Sequence, residues 1–252
     1  MTVKELYDRF SLVYPKELSC SWDNDGLMVC PDLNQKVTGV LTTLDVTDAA
    51  IERAIEIGAN VIVSHHPMIF HPVNAVTPET PVGARVVRLI QKGISVFSFH
   101  TRADAAPGGV NDILAAALKL ANVSIVGDEG IMRVGNLEKT YTPEELALYI
   151  KEMLGTPAVI VGSAEKPIRF LAVCGGESGS MVNVAKESGA DALLIGRVGY
   201  HNNLYGPEVG ISVFEAGHFY TEIAIAHAYA KVAKNNVDVP VEVFDAATVS
   251  VY

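Results

Sequence analysis

The chain has 252 residues, of which 49% are hydrophobic and 19% charged, and its formal net charge is −10 at pH 7. This length and composition predict one large or two ordinary globular domains with a full core, and they exclude intrinsic disorder. The excess of acidic residues disfavours non-specific binding to nucleic acid or to anionic membranes, because both need basic patches. A local basic pocket for a phosphorylated small molecule stays open.

Short apolar segments alternate along the chain with segments of helical periodicity. The expected strands are residues 37–44, 61–63, 94–97, 131–137, 158–161, 170–173, 192–195, 211–214 and 241–244. The first expected helices run from Val3 to before Pro15, from Thr47 or Asp48 to Ile57, and over 81–92 and 110–120. Further helices are expected to begin at Thr142, to end near Gly189 and to cover 218–234. Alternation of strands and helices throughout the chain predicts a layered α/β protein.

Two local signals precede predicted helices, a strong one at Thr142 and a weaker one at the glycine-rich segment 175–179. Thr142, Pro143 and Glu145 form a helix start, with threonine as the cap, proline at the first position and glutamate at the third. The glycine-rich segment 175–179 could hold a phosphate before a helix, but it lacks the Walker lysine and contains Glu177, which would repel an anion. We therefore expect a tight turn there.

One five-residue segment occurs twice. Residues 93–97, Gly-Ile-Ser-Val-Phe, are identical to residues 210–214, and each copy is followed shortly by a histidine, His100 or His218. Chance identity among common strand residues is the alternative explanation, but similar glycine-containing segments also precede a strand upstream of both copies. The repeat therefore favours an internal duplication.

A duplication predicts two similar α/β lobes. We place the first lobe at residues 1–126 and the second at 127–252, with the loop 127–130 as a hinge between the halves. Whether the C-terminal segment packs on the first lobe stays open.

The cysteines and the N-terminal segment bear on the compartment. Cys20, Cys30 and Cys174 are odd in number and have no CxxC spacing, which indicates a reducing environment. The first residues lead into an amphipathic helix rather than a signal peptide, and no run of about 18 apolar residues occurs. We expect a cytoplasmic protein.

Residue types that bind metals follow several of the predicted strands. They are His65 and His66, His100 with Asp104, Asp45, and His218 with Glu222. Glu222 lies four positions after His218, so both side chains share one helix face. Ligands of open α/β sheets gather at the carboxyl ends of the strands. Histidines with carboxylates suit a divalent ion such as Zn, Mn, Fe, Co, Ni or Mg. The set exceeds what one ion needs, so we infer two ions with a shared carboxylate.

Each of these features has a structural alternative. A histidine at a strand end is commonly a hydrogen-bonded structural residue, and paired histidines also occur on ordinary surfaces. A histidine and a glutamate four residues apart often form only a helix contact. The placement of all of them beyond strand ends favours the metal site.

The motifs together resemble a known family. They are residues 22–27 (Trp-Asp-Asn-Asp-Gly-Leu), 43–45 (Thr-Leu-Asp), 64–67 (Ser-His-His-Pro), 100–101 (His-Thr), 104–112 (Asp-Ala-Ala-Pro-Gly-Gly-Val-Asn-Asp), 200–201 (Tyr-His) and 216–218 (Ala-Gly-His) with Glu222. In this order they resemble the NGG-interacting-factor-like dinuclear metal proteins, also catalogued as GTP cyclohydrolase 1 type 2 homologues. The resemblance implies two duplicated three-layer α/β/α lobes, a two-metal site in the cleft between them and a toroidal homohexamer.

The resemblance also implies roles for individual residues. It assigns the metal ligands to His65, His66, Asp104, His218 and Glu222, with Glu222 as the bridge. His100, Asp45 and His201 line the site without necessarily binding metal. The chain departs from the family at Arg102-Ala103, where relatives carry Asn-Leu, and at Arg197 and Gly199, where relatives carry an acidic and a basic residue. We expect these arginines to favour a more anionic ligand.

The leading functional hypothesis is a metal-dependent hydrolase in which His100 or His201 moves protons. The family name suggests hydrolytic opening of the purine ring of GTP, or a related nucleotide or phosphoester hydrolysis, by metal-bound hydroxide. The alternative is a non-catalytic metal-handling protein or a ring-shaped interaction scaffold. Nucleic-acid binding through the hole of a ring is disfavoured by the acidic charge balance.

Overall fold

A computed structural model describes residues 1–247 of the protein, so residues 248–252 of the predicted second lobe lie outside the described residues. Contacts group the chain into two compact units. The first unit is Met1–Ala106 with Ile225–Ala246, and the second unit contains Pro107–Ala224. The predicted duplication with a boundary between residues 126 and 127 stays a prediction.

Strands and helices alternate as the sequence predicts. In chain order the strands are β1 (Gly26–Val29), β2 (Val40–Thr43), β3 (Val61–Ser64), β4 (Ser95–Ser98), β5 (Ala121–Val126), β6 (Met132–Tyr141), β7 (Ile160–Gly162), β8 (Ile168–Glu177), β9 (Ala192–Arg197), β10 (Ser212–Glu215) and β11 (Val241–Phe244). The helices are α1 (Val3–Val13), α2 (Asp48–Glu56), α3 (Pro81–Gln91), α4 (Thr101–Ala105), α5 (Val110–Ala117), α6 (Pro143–Leu154), α7 (Met181–Glu187), α8 (Tyr200–Glu208), α9 (His218–Glu222) and α10 (Ala224–Lys234), with a 3-10 turn at Lys16–Leu18.

The sheet of the first unit has the order β1-β4-β3-β2-β11 among the described residues. The neighbours from β4 to β11 pair in parallel, and β1 pairs antiparallel with β4. Every residue of β2, β3 and β4 is buried, as expected for parallel strands that are covered on both faces. The carboxyl ends of β2, β3 and β4 therefore meet at one edge of this sheet.

The sheet of the second unit has the order β5-β6-β8-β9-β10-β7 within residues 1–247. Strands β8, β9 and β10 are parallel neighbours. The pairs β5–β6, β6–β8 and β10–β7 are antiparallel. Helices α5 and α6 pack apolar side chains on this sheet, including Leu114, Leu146 and Ile150, all at most 3% exposed. The predicted layered α/β class is confirmed for both units.

Two helix starts and one helix end follow directly from the local sequence. The side chain of Thr47 accepts a hydrogen bond from the backbone of Ala50 and begins α2. Thr142 and Glu145 form the predicted capping box of α6. That helix ends at Gly155 in the left-handed conformation, with φ of 63°.

Some sequence predictions were wrong. Strand β5 was missed, although Ala121, Val123 and Ile125 alternate with Asn122 and Ser124, and five of its six residues are exposed. It pairs antiparallel with β6, so residues 127–130 connect two neighbouring strands of one sheet and are not a hinge between halves. The expected helix 218–234 is divided at Ile223 into α9 and α10. None of the helices in the described part of the chain has the length and hydropathy to cross a membrane.

Candidate metal centre

Three histidines converge at the carboxyl ends of β3 and β4. His65 and His66 follow β3 directly, and His100 lies two residues after β4. The backbone beyond β3 stays bound to its neighbour, since His65 N–H donates to Thr43 O at 3.2 Å and His66 N–H to Leu44 O at 2.9 Å. One ring nitrogen from each histidine lies within 4.8 Å of the other two. The structure therefore brings His65, His66 and His100 together, and their roles stay a prediction.

Each of these rings is held through its Nδ1 atom. His65 Nδ1 lies 3.0 Å from Phe99 O, His66 Nδ1 lies 2.8 Å from Asp45 Oδ1, and His100 Nδ1 lies 2.9 Å from Asp23 Oδ1. A carbonyl or carboxylate oxygen accepts, so we infer that the ring hydrogen is on Nδ1 in all three. The basic nitrogen of each ring is then Nε2, which can bind a metal ion, as in the usual arrangement of metal-binding histidines, or accept a proton.

A buried carboxylate adjoins the histidines in the first unit. Asp104 lies on the short helix α4, is 7% exposed, and places Oδ1 3.6 Å from His65 Nε2. A buried carboxylate beside imidazoles supplies negative charge as well as a donor atom. These residues fit a divalent ion, because imidazole and carboxylate are its usual ligands.

The turn-rich segment 22–27 holds residues of this site in place. From the sequence, this segment was predicted only as a loop and a family motif. Asp23 Oδ2 accepts hydrogen bonds from Thr101 N at 3.0 Å and Thr101 Oγ1 at 2.6 Å, while Oδ1 contacts His100. Burial raises the pKa of Asp23, but the hydrogen bonds from His100 and Thr101 outweigh it and lower the pKa to about 2. Asp23 is therefore ionised at neutral pH and fixes the start of α4.

A second donor pair lies in the second unit, on α9. His218 Nε2 and Glu222 Oε2 are 2.9 Å apart, and Glu222 is only 3% exposed. The helix begins directly after Gly217, whose φ of 90° turns the chain from β10 into α9. The predicted helix face shared by His218 and Glu222 is confirmed.

A glycine in β8 makes room for this pair. Gly176 has φ of 74°, and a Cβ there would clash with Glu222 Oε1 and lie 3.7 Å from His218 Nε2. The pairing of β8 with β9 shifts register between Cys174 and Glu177. The tight turn expected in segment 175–179 begins only at Gly179, because residues 175–177 continue β8 through a bulge.

The chain is similar to known proteins over nearly its whole length. It matches the Duf34/NIF3 (NGG1p interacting factor 3) family over residues 1–249. The protein belongs to the NIF3 family.

Its relatives in this family carry two kinds of name. It is 31% identical to the GTP cyclohydrolase 1 type 2 homolog of Clostridium perfringens, covering 96% of this chain and 95% of the relative. It is 34% identical to NGG1-interacting factor 3 of Saccharomyces cerevisiae, covering 83% and 82%. These matches confirm the resemblance that the sequence motifs indicated.

Solved structures of the NIF3 family share the fold. A Bacillus cereus protein related to NIF3 matches with a TM-score of 0.89 at 22% identity, covering 98% of both chains. Reduced HcgD from Methanocaldococcus jannaschii matches with a TM-score of 0.86 at 27% identity, again covering 98% of both. The α/β fold of this chain is that of the NIF3 family.

The first departure from the family pattern, Arg102, has a structural role. Its side chain is fully buried, and Nε and Nη2 donate to Asp25 Oδ2 and Oδ1 at 2.8 and 3.0 Å. Nη1 donates to Tyr14 O at 3.1 Å, and the guanidinium lies 4.8 Å from the centre of the Phe99 ring. The expectation that Arg102 draws in an anionic ligand was wrong, because its charge is compensated by Asp25.

The second departure lies near the predicted catalytic residue His201. The side chain of Arg197 is 64% exposed, with Nη1 3.8 Å from Glu177 Oε2. His201 is exposed on the first turn of α8, a helix that the sequence did not predict, and its ring contacts the Tyr200 ring at 5.6 Å. Glu215 fixes this helix start by accepting from the backbone N–H of Val198 at 2.9 Å. The catalytic role of His201 stays a prediction.

Proposed function

We propose that this NIF3 protein is a metal-dependent hydrolase that binds two divalent ions per subunit. The observation that carries the proposal is the set of three histidines, His65, His66 and His100, each oriented at Nδ1 by an oxygen, with one ring nitrogen of each within 4.8 Å of the other two. Metal-binding histidines are commonly oriented by an oxygen at the other ring nitrogen, so this arrangement of His65 and His66, with His100 beside them for proton transfer, supports a metal site at this sheet edge.

The ligand set we propose is the one that the family resemblance implies. Its members are His65, His66, Asp104, His218 and Glu222, with Glu222 bridging the ions. Two observations support it: Asp104 is buried beside His65, and Glu222 is buried beside His218. A charged carboxylate is rarely buried without a cation or a donor to compensate it.

The side chains of the protein would orient the histidine rings and transfer protons. Divalent ions held there would act as Lewis acids and lower the pKa of bound water toward neutrality. Asp45 and Asp23 keep the rings of His66 and His100 in one orientation and one tautomer. We propose that His100 accepts a proton at Nε2 and that His201 serves as a second proton carrier.

The substrate class follows from the names of the relatives. Several are called GTP cyclohydrolase 1 type 2 homolog, which supports testing hydrolytic opening of the purine ring of GTP first. Hydrolysis of other nucleotides and phosphoesters is the broader form of the proposal. Because function depends on the site and not on the fold alone, the test replaces the proposed metal ligands.

The test measures metal content and hydrolysis on the same samples. We expect the purified protein to contain up to two equivalents of a divalent metal by mass spectrometry and to hydrolyse GTP or another nucleotide. His66→Ala and Glu222→Ala should each lose metal and activity while the circular dichroism spectrum stays that of the wild type. Activity that survives complete removal of metal by a chelator would contradict the proposal.

A second candidate function is metal handling or scaffolding, which the name of the yeast relative, NGG1-interacting factor 3, supports. A carrier should exchange its ions with a chelator within minutes, whereas a hydrolase should hold them and lose turnover when they are removed. Assembly into a toroidal homohexamer and a cytoplasmic location are further proposals from the resemblance. Analytical ultracentrifugation and fractionation of cells would test them.

The Asp45–His66 pair gives a quantitative prediction. Replacing Asp45 with asparagine should weaken metal affinity by about 10–100-fold, because the carboxylate that orients His66 and raises its basicity is lost. Competition with a chromophoric chelator measures this directly. Asp48→Asn is the matched control, since Asp48 is 70% exposed and pairs with Arg85 instead. Equal affinities in the two variants would contradict an orienting role for Asp45.

A further inference from the structure

Two large aromatic side chains lie exposed beside the three histidines. Trp22 is 57% exposed and Phe70 is 40% exposed, although both are residue types that usually bury most of their surface. Their ring centres are 6.3 Å apart, and each also lies about as far from the ring of His100, at 6.3 Å for Trp22 and 6.2 Å for Phe70. His100 in turn contacts the rings of His65 and His66. The aromatic pair therefore adjoins the proposed metal ligands.

The position of this pair is fixed by neighbouring residues. Trp22 precedes Asp23, which is bound to the start of α4 through Thr101. The side-chain amide of Asn24 donates to Ile69 O at 2.5 Å, which ties the segment of Trp22 to the segment of Phe70. Two segments that are far apart in sequence are thus joined so that their aromatic residues meet. Such anchoring is typical of a preformed binding site.

The angles between the rings define what fits against them. The Trp22 and Phe70 rings meet at 66°, and they meet the imidazole of His100 at 80° and 86°. Rings that meet edge to face form a corner, in which a flat molecule can stack on one ring and contact the edge of the other. Proteins use exposed aromatic side chains in this way to bind nucleobases, because every base has a π face.

We propose that Trp22 and Phe70 bind the planar heteroaromatic ring of the ligand, a nucleobase or a ring of similar shape, and hold it against His100. This deepens the proposed function by assigning the residues that bind the ring of the substrate, and it rests on that function only for the fate of the bound ring. Ring binding itself uses the two aromatic side chains and needs no metal ligand.

Trp22 is the single tryptophan of the chain and so reports on the site directly. The experiment titrates the full-length protein with guanosine, adenosine and ribose 5-phosphate and follows tryptophan fluorescence, with and without a chelator. We expect the nucleosides to quench the emission in both conditions and ribose 5-phosphate to leave it unchanged in the chelated protein. Failure of both nucleosides to bind would overturn the proposal.

Variants identify the residues. Phe70→Ala should weaken nucleoside binding by about tenfold or more, since a stacking contact is lost, and Phe70→Tyr should restore it. Leu148→Ala is the matched control, because Leu148 is 69% exposed on α6 in the second unit. Trp22→Phe should abolish the signal but retain binding in equilibrium dialysis. Equal affinities for Phe70→Ala and Leu148→Ala would overturn the proposal.

The outcomes separate this inference from the proposed hydrolase. Nucleoside binding without metal or hydrolysis would support the ring site and contradict the hydrolase. Metal-dependent hydrolysis of a phosphoester that lacks a ring, with no nucleoside binding, would support the hydrolase and overturn the ring site. A change in sedimentation for Phe70→Ala with unchanged nucleoside affinity would make the aromatic pair a contact between copies, which also overturns it.

Discussion

Replacing Asp25 with asparagine is expected to destabilise the protein by about 3–5 kcal/mol, because it leaves the guanidinium of Arg102 charged and buried without its counter-charge. The side chains of both residues are fully buried, and the pair has bidentate geometry. Lys16 and Ser19 also donate to Asp25, so the substitution disturbs a network and not a single contact. Urea unfolding monitored by circular dichroism measures the change.

The chain contains a matched exposed pair as a control. Arg53 donates from Nε and Nη2 to Glu242 Oε1 and Oε2 at 2.6 and 2.9 Å, the same bidentate geometry, but its side chain and that of Glu242 are 41% and 36% exposed. Glu242→Gln should leave the unfolding midpoint nearly unchanged, since solvent screens this pair and hydrates the arginine that remains. If the two variants lost the same stability, burial would not be the cause.

The effect of Asp25→Asn should depend on pH. Burial raises the pKa of Asp25, but hydrogen bonds and charge from Arg102 and Lys16 outweigh it, so the pKa is lowered on folding. The stability that this ionisation provides is fully present above the unfolded-state pKa, about 4, and is lost as the pH falls through the folded-state value. The wild type and Asp25→Asn should therefore differ most at neutral pH and converge in acid.

The sequence was sufficient for elements whose residues answer to local rules. Residues 61–63 predicted a buried strand because β-branched apolar residues without alternation are typical of parallel strands covered on both faces. Thr47 and Thr142 marked helix starts because a threonine cap acts within three residues of itself. Strand β5 was missed although Ala121, Val123 and Ile125 alternate with polar residues, and as an exposed edge strand it depends on pairing with β6.

The candidate site likewise has residues whose positions could be predicted from the sequence and residues whose roles could not. The histidines after β3 and β4 were predictable, because neighbouring parallel strands bring their carboxyl ends to one edge. The roles of Asp23 and Arg102 were not. Asp23 lies 77 positions from His100, and Arg102 lies 77 positions from Asp25, so each role depends on a pairing that only the fold creates. An arginine beside a predicted ligand therefore suggested a charged pocket when its partner was still unknown.

Gly176 has a left-handed backbone and also lies against the donor pair His218 and Glu222. A side chain at this position would face two separate penalties. One is the left-handed backbone with φ of 74°, and the other is a clash of Cβ with Glu222 Oε1. Gly189 isolates the first penalty, because its φ is 79° and nothing lies within 4 Å of the position where its Cβ would be.

Comparing Gly176→Ala with Gly189→Ala therefore separates backbone strain from displacement of Glu222. Both variants should lose about 1–2 kcal/mol from the left-handed conformation. Only Gly176→Ala should also weaken metal binding, by about tenfold or more, because a ligand moved from its place binds less well. Chelator competition and urea unfolding on the two proteins give both quantities. Metal affinity that falls equally in both, or in neither, would contradict the assignment of Glu222 as a ligand that the bulge of β8 accommodates.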